Sequence, residues 1–115
     1  MNNIEKGAFL KLFNRNGYVL NFSTNDFNCF TMESIGVPLC QKYGLSKGAS
    51  LTAYCSEATE TDIIKLFSDL IEYYELHLLS SAYNNGEYNN LFEKCKKIIE
   101  KESKNNVKIS TPAIT

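Results

Sequence analysis

The stretch most able to do chemistry is Ser46-Lys47-Gly48-Ala49-Ser50. A loop of small residues with one lysine, leading into a helix, offers free backbone N–H groups at the positive end of a helix dipole, an arrangement that holds phosphate or carboxylate. Ser46, Lys47, Gly48 and Ser50 are the candidate anion-binding residues, although the spacing is not that of a Walker loop. The competing reading is plain capping, with Ser46 starting a helix over 47–56 whose Leu51, Tyr54 and Cys55 face inward. The single histidine, His77, falls on an apolar helical arc, where a packed side chain with one hydrogen bond is expected rather than a general base. Asp62, Asp69, Glu72 and Glu75 recur at helical spacing. Carboxylates so placed hold a metal only when a facing helix adds ligands, and no second acidic helix is evident, so a solvated face is expected.

Cys29, Cys40, Cys55 and Cys95 include no close C-x-x-C pair and read as buried thiols, with a scattered four-thiolate zinc site as the alternative. No catalytic triad, zinc-protease or dinucleotide pattern occurs. The expectation is a non-enzyme with no metal and no cofactor.

Charge is segregated beneath a net value of −1. Residues 57–87 carry one lysine against seven acids, and residues 88–115 carry six lysines against three. Lys94, Lys96, Lys97, Lys101 and Lys104 form the candidate nucleic-acid patch, for which a solvated helix face is the favoured alternative.

These residues need positioning. A chain of 115 residues that is 43% hydrophobic and 22% charged fits one globular domain with a core of its own. The organising element is a central helix from Thr59 to Tyr83. At 100° per residue, Ile63, Ile64, Leu66, Phe67, Leu70, Ile71, Tyr74, His77 and Leu78 share an arc of roughly 160°. Thr59 and Asp62 form its start signal. Asn2 or Asn3 opens a first helix through Phe9, Leu12 and Phe13, which Asn16-Gly17 stops. Tyr18 to Phe22 reads as an extended connector, because one strand cannot make a sheet. Ser23 and Asp26, with Phe22 and Phe27 as a hydrophobic staple, start a helix that ends at Gly36, and a short helix after Pro38 ends at Gly44. Asn84 and Glu87 start the last helix, lined by Tyr88, Leu91, Phe92, Cys95, Ile98 and Ile99, which pairs with the central one as an antiparallel hairpin. The whole is an all-α domain of about five helices over residues 1–103, with a flexible tail or linker over 104–115.

Leu76 and Leu79 fall on the polar side of the central helix. Either the last helix covers them or a second copy does, giving a candidate homodimer interface of Tyr73, Leu76, Leu79 and Tyr83. No apolar run is long enough to cross a membrane, and a cytoplasmic, reduced setting is expected.

Gly17 to Ser23 with Phe27 and Phe30, followed by Lys42-Tyr43-Gly44-Leu45-Ser46-Lys47-Gly48-Ala49-Ser50-Leu51, resembles the N-terminal domain of AbiJ-type bacterial abortive-infection proteins. The resemblance extends over about Phe9 to Tyr74. It implies a sensing, regulatory or protein-interaction module of phage defence that works with an effector domain, often a HEPN ribonuclease. The HEPN signature is an arginine followed by four residues and then a histidine. Arg15 and His77 are the only such residues, so an effector would have to lie elsewhere.

Overall fold

A computed structural model describes residues 1–114, with side chains described through Ser103. Lys104 and the tail expected over 104–115 therefore lie outside the fully described residues. The described chain is mostly helical, with α1 (Asn3–Phe13), α2 (Thr24–Ile35), α3 (Leu39–Tyr43), α4 (Lys47–Glu57), α5 (Glu60–His77) and α6 (Gly86–Ile114). The all-α architecture is as expected, with six helices rather than five.

One departure decides the geometry of the N-terminal half. Asn16-Gly17 does not merely stop α1; it turns a hairpin between strands β1 (Asn14–Arg15) and β2 (Tyr18–Val19). Asn14 faces Val19 and Arg15 faces Tyr18 in antiparallel register. Both turn residues have positive φ, 60° and 88°, as a two-residue type I′ hairpin requires. The expected connector thus finds its partner in the residues directly behind it. Leu20 follows with φ 49°, an unusual conformation for a bulky residue, and is held there by its buried side chain and by its N–H donating to the Phe13 carbonyl at 3.1 Å.

α5 is central. Ile63, Leu66, Phe67, Leu70, Ile71 and Tyr74 are buried along it. Phe67 stacks on Phe9 of α1 at 4.6 Å and also meets Phe13, while Tyr74 stacks on Phe92 of α6 at 5.0 Å. On the α2 side Phe22 packs on Phe27, Phe30 and Tyr73, so the expected staple is present. α5 ends at His77, six residues earlier than the expected Tyr83, and the segment to Asn85 is a series of turns. Asn85, rather than Asn84, caps α6 by accepting the Tyr88 N–H at 3.2 Å.

Asn84 instead ties the turns to the core. Its Nδ2 donates to the Leu79 carbonyl and to Asn89, and its Oδ1 accepts from the Tyr74 hydroxyl at 2.8 Å. Burial pushes the Tyr74 hydroxyl pKa up, opposed by Arg15. The Arg15 guanidinium lies 3.6 Å from the Tyr88 ring centre and donates to the carbonyls of Leu12 and Tyr83 and to the Tyr74 hydroxyl. One arginine therefore joins the hairpin, α5 and α6.

Candidate functional site

The Ser46–Ser50 turn starts α4 as capping predicts. The Ser46 hydroxyl accepts the Ala49 N–H at 3.3 Å. The Gly48 N–H, which an anion would need, donates to the Gly17 carbonyl at 2.9 Å. Ser50 is fully buried, its hydroxyl turned to the Leu45 carbonyl. Gly48 is small because the β1 strand lies against it: a Cβ there would sit 2.3 Å from Asn14 Oδ1, which itself accepts the Gly17 N–H. The geometry thus gives the turn a packing role against the hairpin. Lys47 alone stays clear of these bonds, its Nζ 5.1 Å from the centre of the Tyr18 ring.

A groove of about 370 Å³ runs between α2 and α5, lined by Phe30, Glu33, Ser34, Lys65, Asp69, Glu72, Tyr73, Leu76 and His77. Its apolar floor is the Phe30–Tyr73 edge contact at 5.7 Å. Asp69 accepts from Ser34 at 2.6 Å and from Lys65 at 2.5 Å, and among the described residues Glu33 and Glu72 form no salt bridge. His77 does not sit in the core as the periodicity suggested. It is exposed at the lip of the groove, on the last residue of α5, its ring 4.8 Å from that of Tyr73. Among the described residues no group of three His, Cys, Asp or Glu is placed to hold a metal.

The four interface candidates do not form one patch. Tyr73 and Leu76 line the α2–α5 groove, Leu79 is half-buried against the core, and Tyr83 lies on a different groove. Leu76 is 74% exposed, so the last helix does not cover it.

The candidate basic patch is also thinned. Lys96 pairs with Glu75 of α5, and Lys101 with Glu5 of α1 at 3.1 Å. Lys94 and Lys97 remain exposed, one turn apart on α6. Of the cysteines, Cys40, Cys55 and Cys95 are buried, whereas Cys29 is exposed, contrary to the expectation of four buried thiols. Burial pushes the Cys55 and Cys95 thiols to about 12.

Arg15 carried no functional expectation from the sequence beyond its failure to fit a HEPN motif. The signal that could have found it is Asn16-Gly17, since a hairpin there sets Arg15 opposite Tyr18. No family model, curated protein or solved structure matches the chain. Among the described residues no helix is long and apolar enough to cross a membrane.

Proposed function

We propose that this chain is a non-enzymatic interaction module of a bacterial phage-defence protein that acts by self-association, with the α2–α5 groove as the docking surface. The observation that carries this reading is Leu76, three-quarters exposed at the rim of a groove floored by Phe30 and Tyr73. An aliphatic side chain left in water beside an aromatic floor is the anchor-and-pocket arrangement of a protein contact. Charge favours a second copy as the occupant. Glu33 and Glu72 make the groove acidic, and Lys94 and Lys97 on α6 present the complementary sign. Two copies related by a two-fold axis would satisfy both faces at once. The defence context rests on the resemblance of the Gly17–Ser23 and Lys42–Leu51 stretches to AbiJ-type proteins.

Light scattering on the purified chain tests this. The expected mass is twice the 13.0 kDa of one chain, returning to 13.0 kDa in Leu76→Glu and in Lys97→Glu. A wild-type chain that stays at 13.0 kDa at high concentration removes the self-association reading.

A further inference from the structure

A second groove, of about 460 Å³, opens between the hairpin, the start of α4 and the α5–α6 turns, and no residue lines both grooves. Its volume falls in the range of small-molecule sites, roughly 300–1,000 Å³. Its walls include Arg15, Tyr18, Asn21, Ser23, Lys47 and Tyr83, and no Asp or Glu lines it. Two cations thus share a cleft without an acid, on a chain whose net charge is −1.

The cations are built into place in different ways. Arg15 is half-buried, stacked on Tyr88 and held by three hydrogen bonds, yet all its partners are neutral. Among the described residues neither it nor Lys47 forms a salt bridge. A guanidinium has five N–H donors, so one remains unspent on each terminal nitrogen. Taking a charged group partly out of water without a counter-ion costs free energy, and an anion bound at the free donors would repay it. Tyr18 stands beside both cations: it is the cross-strand partner of Arg15, and Lys47 lies over its ring. Tyr18 is 65% exposed and Tyr83 40% exposed, and both line the cleft. Aromatic faces next to basic groups hold a base by stacking and its phosphate by charge. The turn that fixes this geometry carries three positive-φ residues within five positions, Asn16, Gly17 and Leu20, so the cleft wall is set by a constrained backbone.

We infer that this cleft binds a nucleoside 5′-phosphate, its phosphate between Arg15 and Lys47 and its base against the Tyr18 ring. The same chemistry is offered by a free nucleotide and by the 5′ end of a single RNA strand. This inference is independent of self-association through α2 and α5.

Isothermal titration calorimetry with adenosine 5′-monophosphate, inorganic phosphate and a short 5′-phosphorylated oligoadenylate tests it. The expected result is saturable binding of the monophosphate, stronger than that of phosphate alone. Lys47→Ala and Tyr18→Ala, both at side chains outside the core, should each weaken binding roughly tenfold with the circular dichroism spectrum unchanged. Tighter binding of the oligoadenylate than of the monophosphate assigns the ligand to a strand end; equal or weaker binding assigns it to a free nucleotide. Absence of binding by both nucleotide ligands to the folded chain at millimolar concentration overturns the inference. So does binding that either substitution leaves unchanged, and phosphate binding as tightly as the monophosphate would mark an adventitious anion only.

Discussion

Gly48 has no room for a side chain. In the sequence it reads as a small residue that lets a backbone approach a ligand; in the fold the approaching group is the Asn14 side chain. A sequence shows that a position must be small but not what lies against it, and the capping role of Ser46 was the legible part. Gly48→Ala should therefore cost about 1–3 kcal/mol, by displacing Asn14 from its bond to Gly17 and by overpacking the contact. Thermal unfolding would read this as a fall of several degrees, and Asn14→Ser in the same chain should recover part of it. The cysteines give a second expectation at this scale. Cys29 is exposed, while Cys55 and Cys95 are buried with thiols pushed to about 12. Near neutral pH a chromogenic disulfide reagent should therefore modify Cys29 well ahead of the other three, which should react fully only in denaturant. Helical spacing in the sequence does set Cys29 apart, since it stands four residues from both Asn25 and Glu33 on a polar stripe of α2, whereas Cys40 stands three from Val37 and Tyr43.

Helices were legible wherever a cap and an apolar stripe coincided. Asn2, Ser23, Ser46 and Thr59 all cap as their types suggest, and Asn2 forms the full reciprocal box with Glu5. The failures are where periodicity ran past its support: Ile4, Met32 and His77 follow the apolar pattern but lie outside, at element ends or where no neighbour packs. The short α3 shows another limit. Pro38 offers no side-chain cap, and the first N–H groups are instead satisfied from α2, where Thr31 accepts from Leu39 and Asn28 accepts from Cys40 at 2.9 Å. Such a cap across elements has no local signature. Asn28→Ala should leave these donors short of a partner and cost about 1–2 kcal/mol, seen as faster amide exchange at Cys40 and Gln41. The hairpin was the larger omission, because Asn-Gly is both a helix stop and the strongest two-residue hairpin signal. Replacing Asn16, at φ 60°, with Val should cost about 1–2 kcal/mol and loosen the Arg15–Tyr18 pairing. Gly7 is the opposite case. It lies in the exposed middle of α1 with nothing within 4 Å of where a Cβ would sit, so Gly7→Ala should stabilise the chain by about 0.5–1 kcal/mol.

At the scale of the molecule, α6 closes the fold by lying across α1 and α5, and its apolar stripe is tied down by a charge on each side. Lys101 reaches Glu5 of α1, and Lys96 reaches Glu75 of α5. The Glu5 carboxyl also accepts the Asn2 backbone N–H, and that bond, followed by the one from Lys101, holds its pKa below the usual 4.5. The bond to Glu75 raises the Lys96 ammonium above its usual 10.5. The two shifts act at opposite ends of the pH scale. Glu5 titrates lower in the folded chain than in the unfolded one, so its contribution is complete above about 4.5 and is lost as pH falls through the depressed folded value. Lys96 contributes fully below 10.5 and loses that contribution as pH rises through its raised folded value. Stability should therefore be level with respect to these two groups between about 5 and 10. Below that window the junction of α1 and α6 should loosen first, because the same protonation breaks the Lys101 ion pair and turns the Asn2-to-Glu5 bond of the α1 capping box from a charge-assisted bond into a weaker neutral one. Glu5→Gln keeps an acceptor for Asn2 but not the charge, so its melting temperature should be lower than wild type at pH 7 and should approach it near pH 3. Calorimetric scans of both proteins across that range check the convergence, and a constant gap would place the stabilisation in packing rather than in the ionised carboxylate.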